Sequence, residues 1–225
     1  MATAERILVT GATGGIGAAV CAELAARGLT PIVGYHRHAD RASAMAAALG
    51  SDAVALDMTR PEQISSACEQ LAAHADSVAG VVLAASPPPI LAPFGTITAD
   101  DMVHQWQVNV LGPQQLLAGL VRHCFRPQKR GSVLGVLTTA MGEGIGTAAP
   151  NMGAYVIAKY GLAGLLAAVA ADYPWLRVHR YSPGFTETPM LEAFDPRYLE
   201  QQRRHHRFET PEQVAAKIVS LLLTP

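Results

Sequence analysis

A glycine-rich segment near the start of the chain constrains the fold more than any other feature of the sequence. Residues 10–17 (TGATGGIG) directly follow a short aliphatic run, Arg6–Thr10, and lead into a helix-like segment at residues 16–27. Glycines let the backbone pass close to a pyrophosphate, and a helix N-terminus presents free N–H groups to it. A glycine cluster alone also fits a simple tight turn, but strand, loop and helix together predict a dinucleotide-binding unit.

The alternation of strand and helix continues along the chain. Short aliphatic and β-branched runs predict six buried parallel strands, at residues 6–10, 31–34, 53–56, 80–84, 132–138 and 177–181. Helix-like segments follow them, at residues 16–27, 41–49, 61–73, 100–125, 154–171 and 211–223. Because βαβ crossovers are right-handed, this order predicts an α/β fold, a Rossmann-type doubly wound parallel sheet with helices on both faces. Ligands of such a sheet bind at the carboxyl ends of its strands.

Short local signals predict where several helices begin and end. Thr59 and Thr210 are each followed, three residues later, by Glu or Gln, which is the pattern of a capping box at a helix start. Gly28 and Gly50 stand where C-terminal caps belong. These signals agree with the helix boundaries that the hydrophobic pattern predicts.

Length and charge narrow the class of protein. A chain of 225 residues suits one domain, residues 1–225, better than two. The net charge of -1 provides no basic field for a nucleic acid or an anionic membrane. The longest apolar stretch, residues 161–171, is short of the roughly 20 residues that cross a bilayer, and residues 1–11 do not resemble a signal peptide. We therefore expect a cytoplasmic protein that acts on a small-molecule substrate. We expect it to bind neither a nucleic acid nor a membrane.

Cysteine and histidine usage argues against a disulfide framework and a metal site. The three cysteines, Cys21, Cys68 and Cys124, are odd in number and widely spaced. The eight histidines cluster only at positions 36 and 38 and at positions 205 and 206, without the spacing of metal ligands. The sequence thus predicts reduced thiols and no bound metal.

The loop after the second strand predicts which dinucleotide is bound. An acidic residue there would hold the two ribose hydroxyls of NAD, but this chain has residues 35–38 (YHRH) and no carboxylate before Asp40. The planar guanidinium of Arg37 can pair with a 2′-phosphate, which predicts NADP(H). The alternative is that Arg37 is a solvated surface residue.

Tyr155 and Lys159 are the candidate catalytic pair. They are four residues apart, hence on one face of a predicted helix. Tyrosine has an ordinary pKa of about 10, and a nearby ammonium group would lower that pKa and make the phenol a better acid or base. A Tyr-x-x-x-Lys pair alone more often belongs to a half-buried helix face. We interpret this pair as catalytic because the glycine-rich segment lies upstream of it.

The combined motifs resemble the short-chain dehydrogenase/reductase family, in particular its 3-oxoacyl-[acyl-carrier-protein] reductase-like members. The resemblance extends over most of the chain. It is carried by the glycine-rich start, Asp57 after the third strand, Asn109 in a Val-Asn-Val run, the Tyr155/Lys159 pair, and Ser-Pro-Gly at residues 182–184.

This resemblance implies roles for individual residues. Tyr155 would protonate a carbonyl while the nicotinamide delivers hydride, Lys159 would also hold the nicotinamide ribose, Asn109 would position a proton-relay water, and Asp57 would contact adenine. Residues 183–190 would pack on the nicotinamide, and residues 191–206 would form a substrate lid. The implied cofactor contacts are Gly11, Thr13, Gly14, Gly15, Ile16, Gly17, Arg37, Asp57, Met58, Ala84, Lys159, Pro183, Gly184 and Thr188.

The chain departs from the family pattern at three places. Residues 84–87 (AASP) replace the usual Asn-Asn-Ala-Gly after the fourth strand, which puts the cofactor-facing backbone there in doubt. The family's substrate-binding serine aligns with Thr139, whose hydroxyl can still donate a hydrogen bond to the carbonyl. The last strand and glycine-rich tail that help family members form tetramers are missing after Leu223, which puts the quaternary structure in doubt.

Two further features concern partners. The helices at residues 100–125 and 154–171 resemble the family's dimer-forming pair and carry the small residues Gly161, Ala163 and Gly164, so we expect a homodimer or homotetramer.

Basic residues recur at a helix end and beside the lid, and similar reductases dock an acidic acyl carrier protein near such a patch. These residues are Arg126, Lys129, Arg130, Arg203, Arg204 and Arg207, and the alternative is that they are merely solvated.

The sequence thus predicts an NADPH-dependent oxidoreductase that reduces a carbonyl, either a ketone or a 3-oxoacyl thioester, to an alcohol. Tyr155 would be the general acid, Lys159 its tuner, Thr139 the carbonyl hydrogen-bond donor and Asn109 the relay residue. The alternative is a non-catalytic NADP(H)-binding sensor or scaffold protein of the same fold. The missing Asn-Ala-Gly and the Ser-to-Thr change favour that alternative, and the intact Tyr155, Lys159 and Asn109 oppose it.

Overall fold

The computed structural model describes residues 5–74 and 78–224, and they form one six-stranded parallel sheet flanked by helices. The strand order is β3-β2-β1-β4-β5-β6. The strands are β1 (Arg6–Thr10), β2 (Thr30–Tyr35), β3 (Ala53–Ala55), β4 (Val78–Leu83), β5 (Ser132–Val136) and β6 (Arg177–Tyr181). The order reverses between β1 and β4, as in a doubly wound sheet, so the predicted fold class is confirmed.

The helices cover both faces of the sheet. They are α1 (Gly15–Ala26), α2 (Ala39–Ala48), α3 (Pro61–Ala72), α4 (Ala99–Trp106), α5 (Gly112–Leu120), α6 (Arg126–Gln128), α7 (Gly153–Asp172), α8 (Pro196–His205) and α9 (Pro211–Leu222). The single helix predicted at residues 100–125 corresponds to α4, α5 and two π-helical turns, Gln107–Leu111 and Val121–Phe125, and α6 continues beyond it. Helix α8 was not predicted, and the side chain of Asp195 caps its start.

The alternation of side chains along the strands explains the two-layer core. In β1, Leu8 faces the cluster formed with α3, α5 and α7, whereas Ile7 and Val9 face the cluster formed with α1, α2 and α9. Successive strand residues point to opposite faces, and both faces are covered, so the inner strands β4 and β5 are buried throughout. The edge strand β6 (RVHRY) has no buried residue, so the predicted burial is wrong for this strand. The carboxyl ends of all six strands meet at one edge, where the site lies.

The structure tests the predicted caps individually. Thr210 forms the expected capping box with Gln213, and Gly28 and Gly50 have the positive φ angles of 78° and 60° that such caps require. The capping box expected at Thr59 is wrong, because Arg60 is the N-cap of α3 and has no side-chain cap. The amide and hydroxyl of Thr59 both donate instead to Asp57 Oδ1, each at 2.8 Å.

Helix α7 is longer than the predicted apolar stretch of residues 161–171, since it extends over Gly153–Asp172 and includes Lys159. By length and composition alone it could cross a membrane. Its residues Leu162 and Leu166 are buried in the core against the sheet, which is a second reason for an apolar helix. A Cβ on Gly161 would lie 2.7 Å from the Trp106 ring, so this glycine lets α4 pack closely on α7 within one chain and is not a free interface residue.

Candidate active site

The glycine-rich segment forms a tight turn between β1 and α1. Gly11 has a positive φ of 64°, and its carbonyl accepts a hydrogen bond of 2.9 Å from the Gly14 amide. A Cβ on Gly17 would lie 2.3 Å from the Gly11 carbonyl oxygen, so only glycine fits there. Gly14 is the N-cap of α1 and offers no side chain to the amides of the first turn. With Thr13 in the same turn, the segment has the geometry of an anion site at a helix N-terminus.

The backbone that replaces the family's Asn-Asn-Ala-Gly is held by a side chain from β1. The Thr10 hydroxyl accepts hydrogen bonds of 3.0 Å from both the Ala84 and the Ala85 amides. Gly11 lies so close that a Cβ there would be 2.8 Å from Ala85 Cα. Thr10 is almost completely buried, so this link orders the end of β4 against the glycine turn without the usual polar side chains.

Asp57 lies at the end of β3 and keeps its carboxylate ionised. Burial alone would raise the pKa of this carboxyl, but the amide and hydroxyl of Thr59 and the nearby His36 and Arg60 lower it below its usual range. His36 Nε2 is 3.1 Å from Asp57 Oδ2. Arg37, the residue after His36, is exposed. The next residue after Asp57, Met58, is buried against α5, where a Cβ on Gly112 would be 2.4 Å from its carbonyl oxygen.

Tyr155 is buried at the carboxyl edge of the sheet and hydrogen-bonds a threonine hydroxyl. Burial raises the pKa of its phenol to about 12, and the hydrogen bond from Thr138 opposes that rise. The Thr138 hydroxyl oxygen also accepts a bond of 3.2 Å from the Ala140 amide, so its own proton is free to donate to Tyr155. The pair places two hydroxyl groups side by side in the cavity described below.

This contact involves Thr138, whereas the residue predicted to donate to a substrate carbonyl is Thr139, and both threonines line the cavity. Thr138 has an extended backbone, so its side chain and that of the next residue point in different directions. The Thr139 amide donates to the Pro183 carbonyl at 3.0 Å, and its hydroxyl lies toward Gly184, on the side of the loop after β6. Thr138 is therefore the partner of Tyr155.

Lys159 is close to Tyr155 but does not lower the pKa of its phenol, as the sequence predicts it would. Its Nζ lies 5.5 Å from the centre of the Tyr155 ring and donates to the Val136 carbonyl at 2.9 Å. Complete burial lowers the pKa of Lys159 to about 7. Burial and not the ammonium group thus dominates the pKa of Tyr155, and the expected lowering is wrong.

Asn109 lies in the π-helical turn Gln107–Leu111, and π turns inside α-helices are frequent at functional sites. It is completely buried, and its Nδ2 donates to the Gln105 carbonyl at 3.0 Å and to Gln105 Oε1 at 3.2 Å. Gln105 in turn donates to the Pro88 carbonyl at 2.7 Å. Asn109 Oδ1 has no partner within the described residues. Sequence reasoning missed Gln105, since a single glutamine on a helix gives no signal of burial.

A cavity of about 760 Å³ brings most of these groups together. It is lined by Thr138, Thr139, Tyr155 and Lys159. The predicted cofactor contacts that also line it are Ile16, Ala84, Pro183, Gly184 and Thr188. Asn109, Asp57 and Arg37 do not line it. The arrangement can hold an extended ligand whose one end lies at the glycine turn and whose reacting part lies at Tyr155.

The basic residues proposed as one docking patch lie at opposite edges of the sheet. Arg126, Lys129 and Arg130 precede the start of β5, whereas Arg203, Arg204 and Arg207 follow the end of β6. Parallel strands put these two points at opposite edges, so the predicted continuous patch within one chain is wrong. In residues 5–74 and 78–224, no three His, Cys, Asp or Glu side chains are grouped so that they could hold a metal ion.

Known proteins are similar to this chain over nearly its whole length. The family model described as enoyl-(acyl carrier protein) reductase matches residues 11–224. The 2,5-dichloro-2,5-cyclohexadiene-1,4-diol dehydrogenase of Sphingobium indicum is 28% identical over 234 residues, covering 97% of this chain and 89% of that protein. The human 3-oxoacyl-[acyl-carrier-protein] reductase is 29% identical over 226 residues, covering 96% and 90%.

Two solved structures share the fold. A gluconate 5-dehydrogenase from Burkholderia cenocepacia in complex with NADP and tartrate has a TM-score of 0.86 at 19% identity, covering 97% of this chain and 88% of that one. A 3-ketoacyl-(acyl-carrier-protein) reductase from Brucella melitensis complexed with NADH has a TM-score of 0.86 at 22% identity, covering 98% and 91%. At these identities the likeness shows the fold alone.

Proposed function

The chain belongs to the short-chain dehydrogenase/reductase family of oxidoreductases, and on that premise we propose that it reduces a carbonyl to an alcohol with NADPH. One observation carries the proposal. Thr138, Tyr155 and Lys159 meet in the same cavity as Ile16 of the glycine-rich segment and residues of the loop after β6, whereas the glycines of that segment and Thr13 do not line it. A hydride carrier laid along that cavity would therefore end beside a proton donor.

The proton chemistry follows from the burial of the site. A phenol whose pKa is about 12 is fully protonated at neutral pH, so Tyr155 is ready to act as the general acid. When a substrate binds, the Thr138 hydroxyl would turn its single proton from Tyr155 to the oxygen on which charge develops and donate a second hydrogen bond there. Bound NADPH supplies the hydride. Lys159, with a pKa of about 7, is partly protonated near neutral pH, and its charge stabilises the phenolate that forms 5.5 Å away.

The choice of NADPH rests on the loop after β2. Arg37 is exposed there, and no carboxylate occurs between the end of β2 and Asp40 in the first turn of α2. The Asp57 carboxylate is already engaged by His36, Thr59 and Arg60. A cationic loop of this kind favours the 2′-phosphate over a free ribose hydroxyl. The two solved neighbours carry different dinucleotides, NADP in one and NADH in the other, so the choice has to be tested on this protein.

Two alternatives remain within the same fold. A 3-oxoacyl thioester on a carrier protein is one substrate class, favoured by the human relative named as such a reductase. A protein that binds NADP(H) without turnover is the other alternative, favoured by the replaced residues Ala84 and Ala85. Because the Thr10 hydroxyl holds that backbone in place, the replacement by itself does not disable the site.

The test follows NADPH absorbance with a panel of ketones, diketones, quinones and 3-oxoacyl thioesters. Tyr155→Phe keeps the ring but removes the proton donor, so turnover should fall by roughly 10²–10⁴-fold while NADPH still binds. Thr138→Val should cost on the order of 10²-fold, and the matched control Thr139→Val should be mild.

Two results would contradict this function. Near wild-type turnover in Tyr155→Phe on a confirmed substrate would refute the mechanism. Tight NADPH binding with no turnover of any compound in the panel would favour the non-catalytic alternative.

A further inference from the structure

The wall of the cavity contributed by the segment after β6 is built from aromatic rings. Phe185 stacks on Phe208 with ring centres 4.7 Å apart and an angle of 8° between planes. Phe194 stacks on Tyr198 at 5.9 Å and 12°, and Phe185 meets Phe194 edge-on at 6.1 Å. Of these four, Phe185, Phe194 and Tyr198 line the cavity. The contacts hold the rings as one apolar surface on which a planar or ring-shaped ligand can stack.

The guanidinium of Arg207 lies beside this aromatic wall and is available to bind a ligand. Arg207 lines the cavity, is exposed, and forms no ion pair with any carboxylate of residues 5–74 and 78–224. Its two neighbours in the same segment are engaged, since Arg203 pairs with Glu187 and Arg204 with Glu200. His206 lines the cavity next to Arg207. The segment thus presents one available guanidinium to the cavity.

The positive charge of Arg207 is significant because few other residues that line the cavity are charged. Within the described part of the chain, no aspartate or glutamate lines the cavity, and its charged residues are Lys159 and Arg207. Lys159 is completely buried and donates to the Val136 carbonyl beside Tyr155. Arg207 is therefore the cation left for a negative group of the ligand, and no carboxylate of the described residues lines the cavity to repel that group.

We propose that Arg207 is a specificity-determining residue that binds the acidic group of an aromatic or cyclic keto acid. The ring of this substrate stacks against Phe194 and Tyr198 while its carbonyl lies at Tyr155. The inference rests on the proposed carbonyl reduction and deepens it by naming the substrate class. Arg207 is suited to the role because a guanidinium binds a carboxylate through two parallel hydrogen bonds.

The pyrophosphate of the cofactor is a second negative group that the Arg207 guanidinium could bind. Arg207 lies two residues before Glu209, whose backbone pairs with Phe185 and Glu187, and the chain then reaches Thr188 beside the glycine turn. A phosphate oxygen and a carboxylate oxygen would both satisfy the guanidinium. The experiment therefore measures substrate and cofactor separately.

The kinetic arm uses 4-acetylbenzoate and 3-(4-acetylphenyl)propanoate, each compared with its primary amide, which has the same shape and no charge. Wild-type kcat/KM should favour the acid at least tenfold. Arg207→Gln should lose at least tenfold more kcat/KM for the acid than for the amide, mainly through KM, because charge-assisted hydrogen bonds are strong. The control Arg204→Gln, whose parent residue pairs with Glu200 outside the cavity lining, should keep the wild-type preference.

A binding arm separates this inference from the proposed function. Calorimetry of the same acids and amides with the NADPH complex reports the charge preference even where no turnover occurs. Acid binding that depends on Arg207 without reduction of any ketone would refute the reductase function and support the anion subsite.

Three results would overturn the inference. One is an acid that binds or reacts no better than its amide in the wild-type protein. Another is an equal loss for acid and amide in Arg207→Gln. The third is an NADPH dissociation constant that rises tenfold in Arg207→Gln, which would assign Arg207 to the cofactor.

Discussion

The complete burial of Lys159 predicts an unusual pH dependence of stability for the cofactor-free protein. Its pKa is lowered from 10.5 to about 7, because burial penalises the ammonium form. Between these two values the unfolded chain carries a proton on this lysine that the folded protein has lost. The free energy of unfolding must therefore rise with pH through this window.

The magnitude follows from the two pKa values. Each unit of pKa difference corresponds to about 1.4 kcal/mol. Because Lys159 is half titrated at pH 7 in the folded protein, the gain in stability from pH 7 to pH 9 should be about 2 kcal/mol. Lys159→Met retains an unbranched apolar stem without a charge, so its stability should lack this increase.

Comparing the wild-type protein with Lys159→Met also cancels the contributions of other titrating groups to the pH dependence of stability. Burial raises the pKa of Cys21 to about 12 and those of Cys68 and Cys124 to about 11, which lowers stability as the pH rises through 9, in both proteins alike. Urea unfolding at pH 7, 8 and 9, analysed with a common slope, measures the difference. If wild type and Lys159→Met gave parallel stability curves over this range, Lys159 would not be neutralised by burial and the reasoning would be refuted.

Three further predictions address the cofactor, the turn and assembly. Arg37→Ala should weaken NADPH binding by about 1.5–3 kcal/mol and leave NADH binding unchanged, and an equal loss for both in fluorescence titrations would rule out a 2′-phosphate contact. Gly17→Ala should lower the melting temperature by several degrees and abolish cofactor binding, because its Cβ would fall 2.3 Å from a backbone oxygen, and an unchanged melting temperature would contradict the turn geometry. The half-exposed apolar residues Val103 and Ile157 on α4 and α7 suit a dimer interface, so Val103→Glu with Ile157→Glu should convert a dimer to a monomer in light scattering, whereas a monomeric wild type at micromolar concentration would count against assembly.

Local sequence patterns were sufficient for the architecture and for the two most distinctive parts of the site. β1 and β6 begin and end where the aliphatic runs predict, and the Gly11–Gly17 turn is closed by backbone contacts that exclude side chains. Tyr155 and Lys159 share a helix face because helical spacing alone puts them there. These features depend on neighbours in the chain, and such neighbours are visible in the sequence.

Features that depend on distant segments were decided only by the tertiary structure. Which of two adjacent threonines meets Tyr155 depends on how the chain leaves β5, and a shift of one residue turns the side chain to the opposite side. The lowered pKa of Lys159 and the pairing of Arg203 and Arg204 that leaves Arg207 available arise from elements far apart in sequence. Composition and spacing record which groups a chain carries, whereas burial, charge pairing and the direction of a side chain are properties of the packed whole, so only the folded arrangement determines them.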